Sequence, residues 1–368
     1  MSTTSDAAVD SMTQYGVDPK NGLQIGMYTL GDHLPDPATG ERVSAKQRIR
    51  EFVDYAKAAE QAGLAVFSIG ESHQQFFASQ AHAVILGAIA EATSRIRISS
   101  SSTILSTSDP VRVFENFATL DLLSDGRAEI VAGRASRVGL FELLGYDLRD
   151  YEELFEEKFG LLRRIASESS VTWNGQYRKP LRNAEVLPRP TDGGLPIWRA
   201  VGGTPSSALR AGLDGVPMVM AHLGGTTSSF RPTIEAYREA ARRGGHDPAS
   251  LPIATAGFFQ VAETSQQALR DYYPHINEGM KRTNGNGMPK QLFAQSVDPH
   301  SIVNVGSPQQ VIEKILHQYE EFGHQRYIAQ MDFGGVPYER VMAQLDILGS
   351  EIIPAVTKYT AQPVGGAK

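Results

Sequence analysis

The regular alternation of short apolar runs with longer amphipathic stretches is the feature that most constrains how this chain folds. Between residues 23 and 349, roughly eight β-like runs are each followed by a helical pattern. Strands that alternate with helices in this way pair in parallel through right-handed crossovers. The number of units predicts one α/β domain, a (β/α)₈ TIM barrel with inserted loops, rather than the alternative of a doubly wound open sheet with a second domain. No linker or change of composition divides the chain, which favours the barrel.

Capping signals predict where two of the helices begin. Asp109 is the expected N-cap of a helix over residues 110–123, and Ser307 that of a helix over residues 308–322, each followed by Pro at the first helical position. Further predicted elements are a hairpin or loop over residues 171–190, a helix over residues 233–243, a strand over residues 253–261 and a final helix over residues 338–349.

One domain is predicted over residues 22–358. Residues 1–21 are polar and partly acidic, and we expect them to form a loose N-terminal tail. Residues 359–368 are expected to form a flexible C-terminal tail. Residues 279–304 contain the run NGNGMP and are predicted to be the least regular segment of the domain.

Composition excludes several classes of function. The 368 residues include no cysteine, so thiolate catalysis, iron–sulfur clusters and disulfides are excluded. The formal net charge of −6 and the absence of a dense Lys/Arg cluster argue against nucleic-acid binding. No apolar run approaches the roughly 20 residues that span a bilayer, and the first residues lack signal-peptide features, so we expect a soluble cytoplasmic protein. No Walker A, HExxH or GxSxG motif is present, and no metal site is predicted.

Titratable residues follow several predicted strands, at the end where barrels of this type carry their sites. Glu71 and His73 follow the second strand, Arg134 ends the fourth and His222 ends the sixth. Each has a purely structural alternative. Glu71 could pair with His73 or with Arg134 without any ligand, and His222 alone is a weak signal.

A run of four serines occupies residues 99–102 of the third strand, where Val and Ile are usual in a buried parallel sheet. One interpretation is that small polar side chains fill a narrow barrel interior. The other is that the backbone approaches a flat ligand closely at this point.

The segment AVGGTPSSALRAG predicts a phosphate site. A strand runs into Gly202 and Gly203, and Thr204 then caps a helix whose first residue is Pro. Glycines let the backbone approach an anion, and the free N–H groups and dipole of a helix N-terminus attract it. Ser206 adds a hydroxyl. The alternative is an ordinary strand-to-helix turn.

Taken together, these stretches resemble the bacterial luciferase-like family of flavin-dependent oxidoreductases and monooxygenases. The resemblance spans residues 23–356 and is carried by AKAAEQAGLAVFSIGESHQ, by RIRISSSSTILSTSDPVRVFENFATLDLLSDGRAEIVAGRAS, by PIWRAVGGTPSSALRAGLDGVPMV and by VGSPQQVIEKILHQYEEFG. The second stretch is the most specific of the four, because it combines a PVR-type helix start with a DxLSxGR turn into a strand that ends near Arg134.

The resemblance implies a (β/α)₈ barrel that uses reduced FMN, or less often the deazaflavin F420. Ser101 and Ser102 would lie beneath the flavin ring, where this family often has a non-proline cis peptide. The resemblance assigns His73, Glu71 and Arg134 to catalysis, with His73 as acid or base and the other two facing the polar edge of the flavin. It assigns cofactor binding to Ser101, Ser102, Val201, Gly202, Gly203, Thr204, Ser206 and His222.

The chain departs from the luciferases proper at two positions. Their strand-two motif reads Glu-His-His, whereas Ser72 stands here in place of the first histidine, and Val201 replaces a carboxylate. These departures argue against luciferase-like aldehyde oxidation.

The resemblance implies a monooxygenase that takes reduced FMN from a separate reductase and uses O₂ to oxidise a small organic substrate. The alternatives are a flavin- or F420-dependent dehydrogenase and a non-catalytic flavin-binding protein. Residues 279–304 would form a lid. A homodimer is expected through the helices that follow strands two and three, since residues 80–93 are apolar almost all round.

Overall fold

Eight parallel strands form a closed barrel in the computed structural model, which describes residues 12–135, 139–202 and 205–361. The barrel of the predicted type is therefore confirmed. The strands are β1 (Gln24–Thr29), β2 (Val66–Ile69), β3 (Arg97–Ser100), β4 (Thr103–Ile104), β5 (Ala128–Gly133), β6 (Val171–Trp173), β7 (Leu181–Ala184), β8 (Ile197–Val201), β9 (Met218–Ala221), β10 (Ile253–Val261), β11 (Asn304–Gly306) and β12 (Arg326–Gln330).

Helices connect the strands around the outside of the barrel. They are α1 (Ala45–Gln61), α2 (His82–Ala92), α3 (Pro110–Leu123), α4 (Leu140–Leu143), α5 (Tyr151–Ser167), α6 (Pro205–Leu213), α7 (Thr227–Arg243), α8 (Ser265–Asn284), α9 (Lys290–Ala294), α10 (Pro308–Phe322), α11 (Tyr338–Ile347) and α12 (Ile353–Thr360). In the part of the chain that the structure describes, no helix is both long enough and apolar enough to cross a membrane.

The barrel closes because its last strand pairs with its first. The order around it is β1, β2, β3, β5, β8, β9, β10 and β12, and β12 pairs in parallel with β1. The short β4 pairs with β5, and β11 pairs with β10 beside the barrel. The antiparallel strands β6 and β7 form a separate hairpin, within the segment predicted as a hairpin or loop.

The capping predictions are confirmed. The Asp109 side chain accepts a hydrogen bond from Val111 N at 2.8 Å at the start of α3. The Ser307 side chain accepts one from Gln310 N at the start of α10. An N-cap oxygen thus satisfies one of the first free N–H groups of each helix.

Three predicted boundaries were wrong. Helix α7 begins at Thr227 rather than at residue 233, and it includes Pro232. Helix α8 continues to Asn284, so the first part of the segment predicted as irregular is helical. The C-terminal helices continue through a short π-helical turn to Thr360, whose hydroxyl accepts a hydrogen bond from Leu23 N. The ordered domain therefore extends past residue 358.

The prediction of a loose N-terminal tail is also wrong for residues 12–21. Met12 and Val17 are buried at the N-terminal end of the hydrophobic cluster in the barrel interior, which also contains Trp198. The ring of Tyr15 meets that of Trp198 edge-on at 5.1 Å. No local pattern predicts this burial, because Met12 and Val17 are the only aliphatic side chains among residues 12–21. Residues 1–11 and 362–368 lie outside the described residues.

A buried ion network lies beside this cluster. The carboxylate of Glu129 pairs with Arg326 at 2.8 Å and also with Arg97. The guanidinium of Arg326 lies over the Trp198 ring, and it also donates to Tyr15 O at 3.1 Å. Burial alone would raise the pKa of Glu129, but the two guanidinium groups outweigh burial and hold it below its usual value.

We expect Glu129→Ala to destabilise the fold by about 3–5 kcal/mol, because it leaves two guanidinium groups without their carboxylate in the barrel interior. Urea unfolding at neutral pH measures this. The matched control is Glu235→Ala, which removes an exposed partner of Arg231 and should cost about 0–1 kcal/mol.

The same carboxylate makes part of the stability depend on pH. Its folded-state pKa lies below the usual value of 4.5, so its contribution is present above that pH and is lost as the pH falls towards the folded-state pKa. We expect Glu129→Gln to lack this part of the acid-induced decline. An unchanged acid limb in that variant would contradict the assignment.

Candidate active site

A cavity of about 540 Å³ opens at the C-terminal ends of the barrel strands. Seven of the predicted site residues line it, and they come from four different strand ends. They are Glu71, Ser101, Ser102, Arg134, Val201, Gly202 and Ser206. Gly203 and Thr204 lie outside the described residues, and their predicted role stays a prediction.

The cavity exists because the interior side chains are small at this end of the barrel. Trp198 fills the lower layer, whereas Ala200 occupies the next inward position on the same strand. Val131, Val219 and Ala256 contribute the other small side chains of the upper layer. An eight-stranded barrel is only just wide enough for side chains to fill, so small residues leave a pocket at its mouth.

The serines of the run 99–102 differ in what they contact. The Ser100 hydroxyl accepts from Val131 N at 2.9 Å and donates to Val131 O at 3.2 Å, and so continues the contact with β5 where the regular pairing stops. The peptide bond between Ser101 and Ser102 is cis, which confirms the prediction made from the resemblance.

Two glycines make room for this peptide. A Cβ on Gly70 would lie 2.5 Å from the carbonyl oxygen of Ser101, and one on Gly133 would overlap the side chain of Ser102. The Ser102 carbonyl in turn accepts a hydrogen bond from Glu71 N at 3.0 Å. The backbone of three neighbouring strands therefore meets at one point of the cavity wall.

Both carboxylate oxygens of Glu71 are engaged. One carboxylate oxygen accepts a hydrogen bond from Ile104 N at 2.7 Å, and the other lies 2.7 Å from His73 Nε2. His73 is not among the described residues that line the cavity, so it reaches the cavity through Glu71. The pairing of Glu71 with His73 was one of the two alternatives open from the sequence, whereas Arg134 does not contact Glu71.

His82 is a further member of this cluster, and the sequence analysis did not identify it. It lies on α2 with Nδ1 3.9 Å from Glu71 and Nε2 2.8 Å from the Thr103 hydroxyl. Burial lowers the pKa of His82, and the Glu71 carboxylate opposes that effect only in part. His82 therefore ties α2 to the short strand that follows the cis peptide.

Arg134 lies at the opposite end of the wall, beside the N-terminus of α6. Its guanidinium pairs with the half-exposed Glu152 and donates to the Ser207 hydroxyl at 2.8 Å. The buried Arg199 also donates towards the Ser207 hydroxyl at 3.4 Å, and its charge is balanced by Glu156. Two guanidinium groups thus converge on the first turn of α6, each paired with a carboxylate. An anion there would gain the helix N-terminus and, by displacing the exposed Glu152, the Arg134 guanidinium.

His222 does not line the cavity. Its neighbours Ala221 and Leu223 do, and because successive strand residues point to opposite faces, His222 points outward. Its ring is completely buried against Tyr327 and Phe230, and burial lowers its pKa to about 4. The predicted contact of His222 with a cofactor in this cavity is therefore not supported by its position.

The rest of the cavity wall comes from residues that the sequence analysis did not single out. They lie on α8, on the long strand β10 and after β12, far apart in the chain, and no local motif marks them. The Tyr28 hydroxyl donates to Gln330 Oε1 at 2.8 Å across the floor. The others on this side include Leu30, Phe258, Met280, Thr283 and Phe333. Among the described residues, no group of three or more His, Asp or Glu side chains is arranged to hold a metal ion.

Comparisons with known proteins agree with this geometry. The model of the luciferase-like monooxygenase family matches residues 23–326. The chain is 22% identical over 340 residues to the alkanal monooxygenase alpha chain of the Kryptophanaron alfredi symbiont, covering 85% of this chain and 94% of that protein. It is 28% identical over 218 residues to the F420-dependent glucose-6-phosphate dehydrogenase of Amycolatopsis mediterranei, covering 55% of this chain and 64% of that protein.

A solved structure has the same fold. It is the oxygenating constituent of 3,6-diketocamphane monooxygenase from Pseudomonas putida, a type II Baeyer-Villiger monooxygenase in complex with FMN. The TM-score is 0.73 at 17% identity, and the match covers 90% of this chain and 98% of that one. At this identity the likeness concerns the fold.

We expect Gly70→Ala to cost about 1–3 kcal/mol of stability, because the added Cβ meets the Ser101 carbonyl and the backbone has to shift. Thermal unfolding measures the loss. Gly193→Ala is the matched control, since a Cβ there meets nothing within 4 Å. Equal stability of the two variants would show that the strand ends are not packed as described.

Proposed function

The chain belongs to the luciferase-like monooxygenase family, and from that premise we propose that it is an FMN-dependent monooxygenase acting on a small organic substrate with O₂. The observation that carries the proposal is one cavity wall that joins an anion site at the N-terminus of α6 to a narrow apolar slot beside the Ser101–Ser102 peptide. Reduced flavin bound there would supply the electrons that activate O₂.

The residues present fit a flavin mononucleotide. Arg134 and Ser206 supply donors for a phosphate at the first turn of α6. Ile104, Val131 and Ala200 line the adjoining slot with apolar side chains that suit a flat ring system. Phosphates commonly bind at helix N-termini, and ring systems bind in apolar clefts with few polar groups.

In this proposal the side chains of the chain bind the phosphate, hold a proton at the cavity wall and exclude water. Arg134 would give up its ion pair with the exposed Glu152 and bind the phosphate instead. Glu71 fixes the backbone after the cis peptide and shares a hydrogen with His73, so this pair can hold or release a proton at the wall. Phe258 and Phe333, both buried, keep water from the opposite side.

F420-dependent hydride transfer is the second candidate. It is supported by the similarity to the F420-dependent dehydrogenase of Amycolatopsis mediterranei and by Ser72, which stands where the luciferases have a histidine. The family contains both chemistries, and the anion site at α6 suits either cofactor.

Oxygen consumption separates the two candidates. We expect the protein supplied with reduced FMN, from any flavin reductase, to consume O₂ in a substrate-dependent manner and to insert label from ¹⁸O₂ into the product. Substrate oxidation under anaerobic conditions with F420, and none with reduced FMN and O₂, would favour the dehydrogenase instead.

The phosphate assignment is tested by comparing FMN with riboflavin. We expect Arg134→Ala to weaken FMN binding roughly 10- to 100-fold, the effect of losing a charge-assisted hydrogen bond, and to leave riboflavin binding unchanged. Fluorescence titration measures both affinities. Arg231→Ala, which removes an exposed arginine on α7, is the control and should change neither. An equal loss for riboflavin would show that Arg134 does not face the phosphate.

We also propose a cytoplasmic homodimer that receives reduced flavin from a separate reductase. Its support is the exposed side of α2, where Val84 is 74% exposed beside Ala81 and Ala88 on an otherwise apolar helix. Light scattering at micromolar concentration should give twice the mass of the chain.

Residues 279–304 stay a predicted lid, with Met280 and Thr283 on its helical part lining the cavity.

A further inference from the structure

The charged residues that line the cavity all lie on one side of it. Glu71, Arg134 and Glu152 follow β2 and β5, on the side where we place the flavin. Each is already partnered, Glu71 by His73 and Arg134 by Glu152. Around a closed barrel, β10, β12 and β1 lie opposite β5, so their ends form a second wall.

This second wall is apolar and well packed. The rings of Phe258 and Phe333 lie 5.0 Å apart and are both buried. Helix α8 approaches Phe333 closely because it carries Gly279, where a Cβ would lie 2.5 Å from the ring. This close approach brings Met280 and Thr283 of the same helix to the cavity.

The polar groups on this wall are uncharged, and most are engaged, whereas Gln330 Nε2 is buried without a hydrogen-bond partner. The Thr283 hydroxyl donates to Met280 O at 3.2 Å within its own helix. The Gln330 oxygen accepts from Tyr28. The charged side chain of Arg282, next to Thr283 in sequence, lies over the Phe76 ring and pairs with Glu278 at 2.7 Å. Among the described residues, no cation or carboxylate lines this half of the cavity.

We propose that the organic substrate of this enzyme is uncharged and predominantly apolar, and that it binds against the wall formed by Phe258, Phe333, Met280 and Thr283. The inference rests on the proposed function, because that function assigns the charged wall to the flavin. A carboxylate or sulfonate here would lose its hydration without gaining a cationic partner, which is costly in an apolar site. A neutral ketone, aldehyde or aromatic molecule loses little, and the unpartnered Gln330 Nε2 can donate a hydrogen bond to a carbonyl oxygen.

Binding of matched probes tests the proposal without turnover. The pairs are 2-decanone with decanoate and acetophenone with benzoate, with 1-octanesulfonate as a further anion. Calorimetric titration is carried out on the full chain, with and without FMN. We expect each neutral probe to bind at least tenfold more tightly than its anionic partner in both conditions.

A reciprocal variant changes the preference. We expect Met280→Lys to tighten decanoate binding at least tenfold, because the half-exposed side chain brings an ammonium group to the apolar wall. Met280→Leu keeps the wall apolar and should retain the wild-type preference. FMN affinity should be unchanged in both variants, since position 280 lies on the wall opposite Arg134.

The outcomes separate this inference from the proposed function. Equal or tighter binding of the anions by the wild-type chain, with FMN still bound, would overturn the substrate class and leave the flavin proposal standing. Absence of FMN binding with the neutral preference intact would overturn the flavin proposal and leave the cavity's selectivity standing. A lysine variant that folds as the leucine variant does and still excludes decanoate would place position 280 outside the substrate wall.

Discussion

Closure of eight parallel strands into a barrel is the constraint on which the rest of the structure depends. Closure points alternate residues of every strand into a space that is only just wide enough for side chains. In this chain the space is filled from one end. Trp198, the Arg326–Glu129 pair and the N-terminal segment with Tyr15 occupy the N-terminal half. Small residues such as Ala200 occupy the other half. The cavity is therefore a consequence of where the large interior side chains stop.

The cavity wall is held by contacts between strand ends rather than by any single strand. Gly70 leaves space for the Ser101 carbonyl, while Glu71 binds the backbone that follows the cis peptide through Ser102 O and Ile104 N. His82 adds α2 to the same cluster through Thr103. A change at any of these positions is transmitted to the others, because interiors are close-packed and the bonds of a hydrogen-bond network polarise one another. The third strand can therefore give up regular pairing at this point without opening the barrel.

The sequence patterns predicted those features that depend on interactions between residues close together in the chain. The Asp109 and Ser307 caps begin their helices where expected because a capping oxygen and a following proline act within one turn. The outward orientation of His222 also follows from strand alternation. Ala221 and Leu223 point into the cavity, so the residue between them points outward. The start of α7 was missed because Pro232 and a polar first turn resemble a loop. The burial of Met12 and Val17, and the contact of α8 with Phe333, depend on contacts between distant parts of the chain, which no local pattern encodes.

Of the motif Glu71-Ser72-His73 that follows β2, only Glu71 is among the described residues that line the cavity. Glu71 lies on the wall, whereas Ser72 is buried and is not among the described residues that line it. His73 is bonded to one oxygen of Glu71, and His82 lies near the other. The hydrogen-bonded route from the cavity to the His73 imidazole therefore runs through the Glu71 carboxylate, whereas His82 is hydrogen-bonded to Thr103. Ser72, where the luciferases have a histidine, leaves the contact between Glu71 and His73 in place.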